Sequence, residues 1–126
     1  MIKSIKKNMR VKMASTEFIP SEEAEQAAFI EWLEIKGHKF SSIPNSTFTN
    51  SWNQKRKNRA MGLRAGLPDI LVIANNKLMF VEMKRIKKSV ISAEQKEWIL
   101  RLNKAGVPAQ VCKGVNEAIK FVEEHE

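Results

Sequence analysis

The sequence is poor in several residues on which enzymes often depend. It has a single cysteine and two histidines among its 126 residues, and Asp69 is its only aspartate. The lone Cys112 excludes an internal disulfide framework, fits a reducing compartment and is interpreted as a buried strand residue. His38 and His125 are its only histidines, and neither lies near the candidate site in sequence.

Long apolar segments are also missing. No apolar run approaches the length of a membrane span, and residues 1–15 lack the apolar core and cleavage site of a secretory signal. We therefore expect a cytoplasmic protein. The length predicts one domain with an ordinary core, over residues 16–126, preceded by a basic arm over residues 1–15. No repeat and no low-complexity segment is present.

Basic residues exceed acidic ones by 22 to 14, which gives a net charge of +8 and a pI near 9.8. This balance indicates a polyanionic partner, with solubility as the alternative. Two clusters flank the candidate site in sequence, and we predict that they bind DNA phosphates. Their members are Lys55, Arg56, Lys57, Arg59, Arg64, Arg85, Lys87 and Lys88. For the arm, nucleic-acid binding and a disordered tail both remain open.

A β-hairpin is predicted around residues 66–84. Two apolar runs, 70–73 and 78–81, flank Asn75 and Asn76, and asparagine tolerates the positive φ that a two-residue hairpin turn requires. If these two residues form the turn, partners across the strands have numbers that sum to 151. Asp69 then lies directly opposite Glu82.

This register brings charged side chains together. Directly opposed residues share a face of the sheet, and the two-residue period of a strand places Lys84 on the face of Glu82. Because facing carboxylates repel each other, a divalent cation such as Mg²⁺ is expected to offset the repulsion. The alternative is a solvated face with a weak ion pair. We favour the metal site because Asp69 is the only aspartate, follows the rigid Gly66-x-Pro68 segment and faces Glu82.

The remaining elements are read from capping and periodicity. A helix is predicted from Pro20-Ser21 to about Lys36, with Gly37 as its end; its Glu22 could complete a metal shell or be an exposed first-turn acid. A capping box, Ser92-x-x-Gln95, opens a later helix. The other segments are a strand at 38–43, a basic helix at 52–61, a strand at 107–112 and a helix at 115–124. This order predicts an α/β fold, a mixed sheet flanked by helices.

Two features near the basic helix have two interpretations each. Phe48 and Trp52 could stack on bases or pack against the sheet, and packing is the expectation. The glycines of residues 62–66 could let the backbone pass close to a phosphate, or they could be simple turn residues.

These motifs together resemble a known family. Pro68-Asp69 followed by Glu82-x-Lys84 on the next strand resembles the signature of the PD-(D/E)xK nuclease superfamily. The ordered set resembles the VRR-NUC (virus-type replication-repair nuclease) family more specifically, over roughly residues 20 to 122. The other matching pieces are Glu22-x-x-x-Gln26, Ile43-Pro44-Asn45, Gly62-x-x-x-Gly66 and Ser92-x-x-Gln95.

The resemblance implies a restriction-endonuclease-like core and a Mg²⁺- or Mn²⁺-dependent endodeoxyribonuclease. Asp69, Glu82 and the backbone carbonyl of Met83 would hold the metal, with Glu22 as a third acid and Glu25 as the fallback. Lys84 would position the attacking water, and Gln95 would lie near the metal.

The resemblance further implies branched DNA as substrate, of the Holliday-junction or flap type, in phage or bacterial replication and repair. A homodimer and, for a phage protein, the host cytoplasm are also implied. The alternatives are a sequence-specific restriction-type endonuclease and a nucleic-acid-binding module without catalysis.

Overall fold

The computed structural model describes residues 18–44 and 49–126, and the basic arm, Asn45 and Phe48 lie outside this part of the chain. Within these two ranges, four helices and four strands follow one another in the predicted order. The helices are α1 (Glu22–Lys36), α2 (Trp52–Ala60), α3 (Ala93–Lys104) and α4 (Val115–His125). The strands are β1 (Lys39–Ser42), β2 (Ile70–Ala74), β3 (Lys77–Lys84) and β4 (Ala109–Lys113).

The strands form one mixed sheet in the order β1-β2-β3-β4. The first two pairings are antiparallel, whereas β3 and β4 are parallel and are joined through α3. A parallel pair needs such a crossover because the chain must return to the end of the sheet where the first strand began, which a tight turn cannot do. The predicted α/β class, with a mixed sheet flanked by helices, is confirmed.

The hairpin has the predicted register. Ile70 pairs with Val81 and Ala74 with Lys77, so partner numbers sum to 151. Asn75 and Asn76 both have positive φ, 52° and 63°, as a turn twisted in the sense of the strands requires. The turn therefore fixes which residues face each other at the far end of the hairpin.

The core lies on one face of the sheet. Alternate residues of β2 and β3 are fully buried there against Phe29 and Leu33 of α1 and Phe121 and Val122 of α4. These alternate strand residues are Ile70, Val72, Ala74, Met79, Val81 and Met83. The predicted burial of Cys112 is confirmed, and this thiol belongs to the same cluster. Within the described ranges, no helix combines the length and apolarity needed to cross a membrane.

The opposite face is only partly covered. It carries Leu71 and Ile73 of β2 and Leu78 and Phe80 of β3, which keep partial solvent exposure. Glu82 belongs to this face by the alternation of the strand. The face therefore combines an open apolar half with a charged end.

The turn geometry generates a stability prediction. We expect Asn76→Gly to raise the free energy of unfolding and Asn76→Val to lower it by about 1–2 kcal/mol, because a side chain, above all a β-branched one, is strained at positive φ. Urea unfolding of the three proteins measures this. Equal stability of the valine variant and the parent protein would contradict the assigned turn.

Candidate active site

The candidate site begins where β2 begins. Asp69 directly precedes the first paired residue of β2, and its Oδ2 accepts a hydrogen bond of 3.0 Å from the backbone N–H of Met83. Its own backbone carbonyl accepts from the N–H of Ile43 at 2.6 Å. The Asp69 carboxylate is therefore held against β3, which the register alone could not specify.

Pro68, the residue before Asp69, limits the hydrogen bonds that the backbone of β3 can form. In the observed register Pro68 falls opposite Met83, and proline has no N–H to donate. The carbonyl of Met83 cannot receive a ladder hydrogen bond from this partner. The proline thus suits the predicted use of that carbonyl as a metal ligand, which stays a prediction.

Glu82 is a buried carboxylate, with 2% of its surface exposed. Its Oε1 accepts a hydrogen bond of 3.0 Å from Nε2 of Gln95, whereas among the described residues no donor reaches its buried Oε2. Burial, followed by the charge of Asp69 and a side-chain hydrogen bond with it, raises the pKa of Glu82 to about 8, and Lys84 partly opposes the rise. A buried carboxylate oxygen without a donor is costly, so this carboxyl suits an additional positively charged partner.

Two further charged groups act on the same carboxylates. Burial and the charge of Asp69 raise the pKa of Glu22, whereas Lys84 lowers it. Glu22 also raises the pKa of Glu82. The N-terminus of α1 and the ends of β2 and β3 therefore bring Glu22, Asp69, Glu82 and Lys84 into one electrostatic neighbourhood.

The donor set fits a hard divalent cation. The buried Oε2 of Glu82 has no donor and lies beside a second carboxylate, and carboxylate oxygens are the ligands that Mg²⁺ and Mn²⁺ prefer. Across residues 18–44 and 49–126, no three His, Cys, Asp or Glu side chains converge tightly enough to hold one ion jointly. The arrangement therefore supports Asp69 and Glu82 as a ligand pair, and direct ligation by Glu22 stays a prediction.

Gln95 links the capping box to the site. Ser92 and Gln95 form the predicted reciprocal hydrogen bonds at the start of α3. The same amide donates its Nε2 to Glu82, so one side chain both caps the helix and restrains the buried carboxyl. The sequence motif accounted for the cap alone, since the contact depends on where α3 lies.

A close backbone contact sets the position of α3. Gly66 has φ +93°, and a Cβ on it would lie 2.5 Å from the backbone carbon of Glu94 and 2.8 Å from the nitrogen of Gln95. The structure thus adds a third role for Gly66 to the two interpretations of the glycine loop. Because this residue has no side chain, its backbone can approach the start of α3. Nearby, Nε1 of Trp98 donates to the carbonyl of Ala65 at 3.0 Å.

Glu25, the fallback third acid, has a different partner. It is 6% exposed, and its Oε2 accepts a hydrogen bond from the backbone N–H of Val115. Val115 is the first residue of α4, where a carboxylate satisfies an otherwise orphaned donor and interacts well with the helix dipole. Glu25 therefore joins α1 to α4. No local sequence signal predicts this contact, which spans 90 positions.

The predicted DNA-binding residues occupy three places. Lys55, Arg56, Lys57 and Arg59 are exposed on α2, and Lys87 and Lys88 are exposed between β3 and α3. Arg64 donates to the carbonyls of Arg59 and Leu63, and Arg85 donates to those of Ile19 and Pro20. Both arginines thus also hold the backbone, and phosphate binding by all eight residues stays a prediction.

The expectation that Trp52 packs against the sheet is wrong. Its surface is 75% exposed, and none of the residues of α2 is buried. The expectation assumed that a large aromatic residue next to a sheet would be covered, but α2 is polar all round and has no apolar stripe to turn inward.

The raised pKa of Glu82 sets a pH dependence of stability. Its carboxyl binds a proton in the folded state up to about pH 8, whereas its ordinary value is 4.5. The contribution of the Glu82 carboxyl to the free energy of unfolding is therefore fully present below pH 4.5 and declines as the pH rises towards 8.

We expect the stability of Glu82→Gln relative to the parent protein to increase between pH 5 and pH 8, because the amide does not ionise. Thermal unfolding in EDTA at both values measures the difference. A constant difference would show that Glu82 titrates normally.

Two glutamates on α1 form a matched pair. We expect Glu25→Ala to lower the free energy of unfolding by about 1–3 kcal/mol, because it leaves the buried N–H of Val115 without an acceptor. Glu22→Ala should change it by less than about 0.5 kcal/mol. Urea unfolding of both variants tests the assignment, and the reverse order would overturn it.

Comparisons with known proteins agree with this geometry. The family model of the VRR-NUC domain matches residues 14–116. A solved structure described as a VRR_NUC domain protein superposes with a TM-score of 0.67 at 24% identity, over 84% of this chain and 88% of that one.

A second solved structure, described as a VRR_NUC domain, has a TM-score of 0.61 at 23% identity, over 85% of this chain and 100% of the other. Similarity at this level shows a shared fold. The search of curated proteins gave no significant match. Because the family model covers most of the sequence, the chain belongs to the VRR-NUC family of nucleases.

Proposed function

We propose that this protein is a Mg²⁺- or Mn²⁺-dependent endodeoxyribonuclease that hydrolyses phosphodiester bonds in branched DNA. The observation that carries the proposal is the buried Glu82 carboxyl, which has one oxygen without a donor and lies beside Asp69. Its family membership and its charge of +8 support DNA as the substrate.

The chain's own residues have distinct parts in this proposal. Asp69 and Glu82 would hold the cation, together with the carbonyl of Met83 and with Glu22. The cation, when bound, would polarise the scissile phosphate and lower the pKa of the attacking water. Lys84 would orient the water or stabilise charge on the phosphate. Gln95 would restrain Glu82 through its 3.0 Å hydrogen bond.

The proposed preference for branched DNA rests on exposed charge and on symmetry. The lysines and arginines of α2 and those of the segment between β3 and α3 are mostly exposed cations, which favours recognition through phosphate contacts and DNA shape. Symmetric cleavage of a four-way junction requires two active sites, and we propose a C2 homodimer for that substrate. We also propose a role in phage or bacterial replication or repair, in the cytoplasm of the cell or of the host.

Catalysis is tested by two substitutions and a matched control. We expect Asp69→Asn and Lys84→Ala to lower the cleavage rate by at least about 100-fold while DNA affinity changes little, because both act on the reacting phosphate rather than on binding. Lys113 pairs with Lys84 across the parallel strands and is exposed. Lys113→Ala removes a positive charge from the neighbouring strand, and this variant should cleave DNA at the rate of the parent protein.

The assay uses plasmid, flap and four-way-junction DNA with Mg²⁺, and the metal site has its own readout. Mg²⁺ or Mn²⁺ should raise the melting temperature of the parent protein but not that of Asp69→Asn. Normal cleavage by either active-site variant would refute the proposal. A discrete plasmid pattern would indicate a restriction enzyme, and binding without cleavage would indicate a non-catalytic module.

A further inference from the structure

Helix α2 contributes nothing to the core. None of its residues is buried, and four of its nine residues are Lys or Arg, with no acid among them. The acid-free stretch extends over residues 35–68. Packing, which supplies most helix stability in proteins, is absent here, and four like charges on nine residues repel one another. Such a helix is suited to a polyanionic partner.

Local contacts hold the helix in its form. Ser51 caps its N-terminus by accepting from the N–H of Gln54 at 3.2 Å. Gln54 donates to Asn58 at 2.7 Å, and Arg56 donates to Asn53 at 3.1 Å. Polar side chains on α2 therefore form hydrogen bonds with each other along the helix, and the basic side chains remain exposed to solvent.

Trp52 differs from the other two tryptophans. Trp32 stacks on Phe29, and Trp98 is bound to a backbone carbonyl. Trp52 leaves 75% of its surface in solvent, with Nζ of Lys55 5.0 Å from its ring centroid. A single ammonium cannot cover both faces of an indole, so a flat surface remains open among four cations.

This combination has a specific chemical partner. Exposed aromatic rings beside basic side chains are how proteins bind unpaired nucleotides, because bases stack on the ring while cations bind the neighbouring phosphates. A duplex offers no base face to an indole on its surface. A membrane-binding helix needs an apolar face, but the other exposed large apolar residue here, Met61, follows nine positions later, half a turn out of phase.

Adjoining depressions in the surface extend from α2 to α3. One is lined by Lys55, Asn58, Arg59, Leu63, Arg64 and Ala65. The next is lined by Arg64, Ala65, Ala93, Glu94, Glu97 and Trp98. They share Arg64 and Ala65, and the second lies against the first turns of α3. The surface beside α2 thus continues to the helix whose Gln95 contacts Glu82.

We propose that Trp52 stacks on an unpaired base next to a duplex, while Lys55, Arg56, Lys57 and Arg59 bind the flanking phosphates. The helix α2 is then the element that distinguishes DNA with unpaired bases from continuous duplex. This inference rests on the proposed nuclease function and narrows its substrate to branches that carry a single-stranded arm, such as flaps.

The test measures binding rather than cleavage. Each variant is made in the full chain carrying Asp69→Asn, and fluorescence anisotropy compares a splayed duplex with single-stranded arms against a duplex of equal length. We expect Trp52→Ala to weaken binding to the splayed DNA by about 5- to 100-fold, the range expected for loss of one stacked base. Its affinity for the duplex should change by less than about twofold.

Two controls isolate the ring. Met61→Ala removes a residue that is 87% exposed at the other end of the helix and should bind both DNAs like the parent protein. Trp52→Phe keeps an aromatic face and should recover part of the lost affinity. Since Trp52 buries little, the melting temperature of Trp52→Ala should match that of the parent, which separates loss of stacking from loss of folding.

The charges are tested separately. Replacing Lys55, Arg56, Lys57 and Arg59 by glutamine should weaken binding to both DNAs and should reduce the slope of log affinity against log salt by up to about 3, because fewer counterions are released. Trp52→Ala should leave this slope unchanged. An unchanged slope in the glutamine variant would overturn the assignment of phosphate contacts.

Unchanged binding of Trp52→Ala to splayed DNA, or an equal loss on duplex, would overturn the stacking. Trp52-dependent binding to anionic vesicles without an effect on splayed DNA would overturn it in favour of a membrane surface. Selective loss of splayed-DNA binding supports it even if the parent protein never cleaves DNA, in which case the nuclease proposal alone fails. Normal cleavage combined with DNA binding that does not depend on Trp52 would mean that the stacking proposal alone fails.

Discussion

The whole site depends on a two-residue turn. Asn75 and Asn76 close the hairpin with positive φ, and the pairing register that they set puts Asp69 opposite Glu82. A shift by one residue would move Glu82, and Lys84 with it, to the core face, since strand side chains alternate. The apolar residues on that core face oppose such a slip, because it would expose them. Core packing and site assembly therefore enforce the same register.

The second constraint is the placement of α3 on the otherwise open face of the sheet. Gly66 lets the segment before β2 touch the first turn of α3, and the capping residue Gln95 then reaches Glu82. Three segments distant in sequence thereby converge on one buried carboxyl. The cost of burying it without a donor for Oε2 is retained in the folded protein, as is common where a site awaits a ligand.

The sequence predicted the hairpin, its register, the order of elements and the capping box, because each of these depends on residues close together in the chain. Long-range contacts are not specified by local patterns. Glu25 binding to the start of α4 and Gln95 binding to Glu82 depend on how helices pack on the sheet, and only the family resemblance had placed Gln95 near the metal site. Trp52 was misjudged for a related reason, because its burial depended on whether the short basic helix would find a surface to cover.

The exposure of α2 has an evolutionary consequence. A helix that supplies no core residue can change its composition, or lengthen, without disturbing the hairpin that carries Asp69, Glu82 and Lys84. Mutational drift at these surface positions is nearly neutral for folding. The solvent-facing residues of α2 can thus diverge between homologues independently of the three charged side chains on the hairpin.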